Sequence, residues 1–260
     1  MELTMKGRNA LITGGSLGIG RAIAKGFVAA GANVAIVARR QDMLDEAKAE
    51  IEGAGSGKVV AVSADVATAQ GCADAFDEAE KALGQIDVLV NNAGSSARGP
   101  FPEITDEDWQ ADIDLKLFAA IRLTRLAFPK MKARQWGRII NVLNTGAKAP
   151  PAEGAPTAVT RAAGMALTKV LAGEGAPANV LVNSLHVGRI ESDQWVRRHA
   201  AEDKGRSLEE FYAEMGQGLP MGRVGTAEEF ANAAVFLASD AGSYITGTAI
   251  NVDGGLSPVV

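Results

Sequence analysis

Apolar positions along the chain fall into two rhythms. Short, mostly apolar runs occupy residues 10–12, 34–37, 59–62, 88–90, 138–143, 180–185 and 249–252, and the stretches between them, such as 18–30 and 42–52, carry helical spacing. Strands that are apolar on both faces must be covered on both faces, and their alternation with amphipathic helices means a parallel sheet between two helical layers. Right-handed crossovers leave few ways to wind such a chain. The pattern predicts one doubly wound α/β domain over residues 1–260, with a parallel sheet of about seven strands.

One stretch breaks the rhythm. Residues 190–221 follow the sixth run, are rich in charge, and carry Trp195, Arg197, Arg198 and His199. An insertion at the carboxyl end of a strand stands where such sheets bind ligands, so it reads as a helical lid over a substrate pocket. A solvated surface excursion is the alternative.

The turn after the first strand reads Thr13-Gly14-Gly15-Ser16-Leu17-Gly18-Ile19-Gly20 and opens the first helix. Gly14 permits the tight turn, Gly18 lets backbone approach a pyrophosphate, and Gly20 lets the helix pack close to the sheet. Free N–H groups of Ser16, Leu17, Gly18, Ile19 and Gly20 then face the phosphates at the positive end of the helix. The second strand ends at Ala38, where a carboxylate would meet a free ribose 2′-hydroxyl, and Arg39 and Arg40 follow. A guanidinium binds a 2′-phosphate that a carboxylate would repel, so the pattern favours NADP(H) over NAD(H).

Composition adds exclusions. Lys plus Arg is 26 against 31 Asp plus Glu, a net charge of −5, which lacks the basic field that nucleic acid requires. One cysteine, Cys72, permits no internal disulfide and fits a reducing, cytoplasmic setting. No run of 18 apolar residues suggests a membrane span, and residues 1–15 hold no apolar run fit for a signal peptide. No His, Cys and carboxylate pattern has metal-ligand spacing. Thr105 with Asp108 and Thr226 with Glu229 have capping-box spacing and are expected to start helices.

These motifs resemble the short-chain dehydrogenase/reductase family over nearly the whole chain. The resemblance rests on residues 13–20, Asp65-Val66, Asn91-Asn92-Ala93-Gly94, residues 137–141, Val182-Asn183, Pro220-Met221-Gly222-Arg223, residues 236–240, and Gly247 with Asp253-Gly254-Gly255. It implies a Rossmann-type fold, with Asp65 and Val66 at the adenine and Asn92, Ala93, Gly94, Gly188 and Ile190 along the cofactor cleft. It also implies a homotetramer, built through the helices after Thr105 and Pro156 and through the carboxyl-terminal strand and helix. The implied reaction moves a hydride between nicotinamide and a small-molecule carbonyl or alcohol. A tyrosine supplies the proton, a lysine four residues on lowers its pKa, a serine holds the substrate oxygen, and an asparagine completes a relay.

This sequence departs from that pattern at all four positions. The tyrosine and lysine positions read Thr157 and Arg161, the serine position Asn144, and the asparagine position Lys116. Thr157 has an alcohol's pKa and cannot exchange protons near neutrality. Arg161 keeps its proton but suits the nicotinamide ribose or a substrate anion, and Asn144 suits a substrate oxygen. Lys116, on the helix beside the site, and His186, read as lying on a loop facing the nicotinamide, are the candidate proton donors. Lys148, on a loop read as leading to the lid, is a third, and a solvated or packing role is the alternative for each. Two functions stay open: an oxidoreductase with a non-standard proton donor, or a catalytically silent NADP(H)-binding partner subunit, sensor or scaffold.

Overall fold

A computed structural model describes residues 3–202 and 205–260. Seven parallel strands form one sheet in the order β3-β2-β1-β4-β5-β6-β7. They are β1 (Asn9–Thr13), β2 (Asn33–Ala38), β3 (Val59–Ser63), β4 (Val88–Asn91), β5 (Gly137–Asn144), β6 (Val180–Val187) and β7 (Ala249–Val252). Each of the seven apolar runs is a strand, and each grows by at most two residues at an end. The chain winds outward from β1 to β3, then returns past β1 to β4. The strand order therefore reverses between β1 and β4, the place where open α/β sheets bind ligands.

Alternate strand residues feed two cores. On one face Ala10 and Ile12 of β1 pack with Ile23 and Phe27 of α1 (Gly18–Ala29), Leu44 of α2 (Gln41–Glu52) and Phe230 of α9 (Ala227–Ala238). On the other face Leu11 packs with Phe76 of α3 (Ala69–Leu83), Leu123 of α5 (Ala119–Ala133) and Ala172 of α6 (Thr157–Gly175). Period-two alternation splits neighbouring residues between the two layers, which is why both sides of each strand read as apolar.

Polar residues inside these strands set register. Asn91 and Asn141 stand opposite each other on β4 and β5, and Asn91 Nδ2 donates to Asn141 Oδ1 at 2.9 Å. Asn141 Nδ2 then donates to Thr168 Oγ1 at 2.9 Å, bolting α6 to the sheet. Slipping this register by one residue would strand buried amides without partners.

Both expected capping boxes form, Thr105 with Asp108 at the start of α4 (Asp106–Ile113) and Thr226 with Glu229 at the start of α9. A third, Ser207 with Glu210, opens α8 (Leu208–Gln217). The stretch at 190–221 holds α7 (Asp193–Glu202) and α8, with residues 203 and 204 outside the described residues. Between α4 and α5 the backbone widens into a π-helical turn at Asp114–Phe118. Among the described residues no helix is long and apolar enough to cross a membrane.

Candidate active site

A cleft of about 1730 Å³ opens along the carboxyl ends of β1, β2, β4, β5 and β6. At its centre lies the glycine turn. Leu17, the residue before α1, offers no side-chain acceptor to the first turn, so the N–H groups there are not used up by a cap. A side chain on Gly20 would put its Cβ 2.2 Å from the Gly14 carbonyl, so only glycine lets helix and turn close up. Gly14, Ser16, Leu17, Gly18, Ile19 and Gly20 all line the cleft, as do Arg39, Asn92, Ala93, Gly94, Gly188 and Ile190. Asp65 and Val66 are not among its lining residues. Asp65 instead uses a carboxylate oxygen to accept from the Ala67 N–H at 3.0 Å, and Val66 is buried.

Two side chains hold this half of the cleft in shape. Asn92 Nδ2 donates to the Thr13 and Gly14 carbonyls at 2.9 and 3.2 Å. Thr13 Oγ1 accepts from the backbone N–H of Asn92 and of Ala93, both at 3.0 Å. Thr13 is thus a site residue that the sequence reading used only as the start of a motif.

Arg39 and Arg40 line the far end, and among the described residues neither has a carboxylate partner. A nicotinamide dinucleotide fits these donors: free helix N–H groups for the pyrophosphate, and a guanidinium without a competing carboxylate for a 2′-phosphate.

At the other end the sequence candidates part company. Arg161 and Asn144 line the cleft. Arg161 donates from one terminal nitrogen to the Val142 carbonyl at 2.9 Å, and the other lies against Gly94, where a Cβ would stand only 2.4 Å away. Burial lowers its pKa to about 10 against the opposing pull of Asp112, so it stays cationic. Asn144 Oδ1 is buried with no partner in the protein. Such an atom is completed by a ligand donor, or by a ligand oxygen once the amide turns over.

Lys116 is not beside the cleft but under its floor. The π-helical turn swings it inward, and its side chain is fully buried, ion-paired with Asp112. Its ammonium also donates to Thr157 Oγ1 at 2.7 Å. Burial, reinforced by the charge of Arg161, lowers its pKa to about 8, and Asp112 opposes the fall. Asp112 itself, 4 % exposed, accepts further from Thr160 Oγ1 at 2.7 Å. Nothing in the linear pattern singled it out, although its place one helical turn before Lys116 was a readable cue.

Thr157 lines the cleft, yet its hydroxyl is fully used. It accepts from Lys116 and from the Ala97 N–H at 3.0 Å, and donates to the Ala97 carbonyl at 2.6 Å. A hydroxyl has one donor and two acceptor positions, so none is left for a substrate.

His186 was expected on a loop, but it is the seventh residue of β6, fully buried and absent from the cleft lining. The Asn144 carbonyl accepts from Nδ1 at 3.0 Å, which leaves Nε2 to accept from the Ser184 hydroxyl at 3.1 Å. Burial, with the charge of Lys148 second, lowers its pKa to about 4, so it is a neutral packing residue. Lys148 precedes α6, not the lid, and donates to the Ala249 carbonyl at 2.5 Å. None of the three proposed proton donors reaches the cleft with a proton to give.

Comparison with known proteins assigns the family. Residues 14–257 match the family model described as Enoyl-(Acyl carrier protein) reductase. The chain belongs to the short-chain dehydrogenase/reductase family. It is 34 % identical over 262 residues to the uncharacterized oxidoreductase YvrD of Bacillus subtilis, covering 98 % of each chain. It is 33 % identical over 256 residues to the 3-oxoacyl-[acyl-carrier-protein] reductase FabG of Aquifex aeolicus, covering 98 % of this chain and 100 % of that one. Among solved structures, L-sorbose reductase from Gluconobacter frateurii, complexed with NADPH and L-sorbose, superimposes with a TM-score of 0.94 at 35 % identity over 100 % of both chains.

The buried network makes a prediction. Unfolded Lys116 titrates near 10.5 and folded Lys116 near 8, so between those values the unfolded chain holds the extra proton and stability rises with pH. Below pH 8 the ammonium needs Asp112. Asp112→Ala should therefore cost about 3–5 kcal/mol in denaturant unfolding near pH 6, and clearly less at pH 9. An equal loss at both pH values would show that Asp112 is not there to neutralise Lys116.

Proposed function

We propose that this protein is an NADP(H)-dependent reductase of small conjugated carbonyl compounds, which holds negative charge on the substrate oxygen and takes the proton from water. The observation that carries this reading is the Arg161 guanidinium, set in the same cleft as the glycine turn and the unpartnered Oδ1 of Asn144. Ser16 to Gly20 would hold the pyrophosphate, Arg39 the 2′-phosphate, Asp65 and Val66 the adenine, and Ala93, Gly94, Gly188 and Ile190 the nicotinamide side. Bound there, NADPH supplies a hydride.

The four family positions carry Lys116, Asn144, Thr157 and Arg161, and that set decides which acceptors suit the site. Reducing an isolated ketone leaves an alkoxide, a strong base that needs a side-chain acid at once, and among the described residues the cleft lining holds no such acid. Reducing a quinone leaves a phenolate, whose acid has a pKa of about 10, and a conjugated enone leaves a similarly delocalised enolate. A guanidinium and an amide stabilise such an anion without transferring a proton. The matched family model, described for an enoyl reductase, supports a conjugated acceptor. The L-sorbose bound by a structural neighbour supports a small polar substrate.

A panel of acceptors tests this. NADPH should be consumed with enones or quinones and not with saturated ketones and aldehydes. Arg161→Gln should lower kcat about 10²–10³-fold, the usual loss when one donor to a developing oxyanion is removed. Ketone turnover at a comparable rate would sink the argument. Tight NADPH binding with no turnover on any acceptor would establish the second reading, a silent NADP(H)-binding partner, sensor or scaffold, which the saturated Thr157 hydroxyl favours.

For the cofactor, Arg39→Asp should weaken NADPH far more than NADH in fluorescence titrations, and equal weakening would remove the phosphate contact. The tetramer belongs to this proposal too. Phe118 before α5 and Val159 and Val170 on α6 are exposed, as is Tyr244 near β7. Covering them would suit a second copy on each side. Sedimentation should give four times 26.9 kDa, and a monomer would refute it.

A further inference from the structure

The chain is acidic overall, with a net charge of −5, yet among the described residues seven arginines line the cleft against one carboxylate, Asp193. That carboxylate is ion-paired with Arg197 at 3.0 Å. Arg39 and Arg40 stand at the cofactor end and Arg161 at the reacting oxygen, which leaves Arg98, Arg189 and Arg198 on the substrate side. Arg198 is shared with Glu202 at 3.0 Å, and Glu202 also pairs with Arg206. Among the described residues, Arg98 and Arg189 have no carboxylate partner.

Both are held in place from behind. The Arg189 guanidinium lies 4.9 Å from the ring centroid of Trp195, which is 9 % exposed, and Arg198 stacks on the same ring at 5.7 Å. The Arg189 carbonyl accepts from the Gly225 N–H at 2.9 Å, fixing its backbone. Burial lowers the Arg189 pKa, and the charges of the exposed Arg98 and Arg198 lower it further, so Arg189 is the desolvated member of three neighbouring cations. Arg98 is presented by the loop that Thr157 pins through both backbone groups of Ala97. The family's tyrosine position has become the anchor of a cation. Converging guanidiniums without a carboxylate are costly unless an oxyanion completes them.

We infer that Arg98 and Arg189 form an anion subsite, and that the substrate of this enzyme carries a carboxylate or phosphate group beside the carbonyl that is reduced. This rests on the reductase reading for the word substrate, but the subsite can be tested without turnover. Benzoate, phenyl phosphate and neutral benzyl alcohol are titrated calorimetrically into the full chain saturated with NADP⁺, which keeps the probes off the Arg39 end. At least one anion should bind about 10-fold or more tightly than benzyl alcohol, the scale of a hydrogen bond between charged groups, and weaken as salt is raised. Whichever of benzoate and phenyl phosphate binds better identifies the group.

Arg98→Gln and Arg189→Gln should each lose about 10-fold or more in anion affinity while NADPH affinity stays at the wild-type value. Arg98 is exposed on its loop, so its variant is read without risk to the fold. No measurable anion binding, equal binding of benzyl alcohol, or wild-type anion binding in both variants would overturn the subsite. If NADPH itself fails to bind, the reductase reading falls, and the same titrations on the unloaded chain with Arg39→Asp still decide the subsite.

Discussion

An ammonium shut away from water must be given acceptors or lose its proton, and Lys116 places that demand beneath the reaction end of the cleft. Asp112 answers the charge and Thr157 takes a second N–H. Because Thr157 is bound from below by Lys116, its remaining positions close on Ala97, and the loop carrying Arg98 is held against α6. The same ammonium lies near Arg161, so two cations face each other across a thin partition with Asp112 between their effects. Lys116, Asp112, Thr157 and Thr160 thus act as one connected arrangement.

The fold was legible because its determinants are local and repetitive. Strands buried on both faces must be apolar throughout, and residues 34–37 or 180–185 can be little else. The shape of the glycine turn was legible for a related reason. It is built from backbone groups and from glycines whose missing side chains make room, and Gly20 records that in the sequence itself. The reaction half was not legible, because it depends on where side chains point. His186 alternates inward on β6 where a loop was expected, a difference of two strand residues. Lys116 lies on a widened helical turn, and one inserted residue rotates a side chain by about 100° relative to an ordinary helix. Asp65 is exposed and uses one carboxylate oxygen to cap a turn, which the linear pattern does not reveal.

Charge distribution carries the last step. A protein of net −5 has no general attraction for anions, so arginines gathered in one cleft act only on what enters it. In the proposed complex the two phosphate-bearing regions of NADPH would use the glycine turn and the Arg39 end. Arg161 is turned toward Gly94 and the Val142 carbonyl, too deep to serve the rim. Arg189, over Trp195, therefore stands without a counter-charge from the proposed cofactor, in surroundings dry enough to lower its pKa, with Arg98 and Arg198 near it. Mutual repulsion of that kind lowers stability and yields nothing unless something anionic relieves it. In the proposed reaction that relief also has a kinetic use. A substrate pinned by its own oxyanion at the rim points its carbonyl inward toward Arg161 and Asn144, and orientation of this kind substitutes in part for the acid the site lacks.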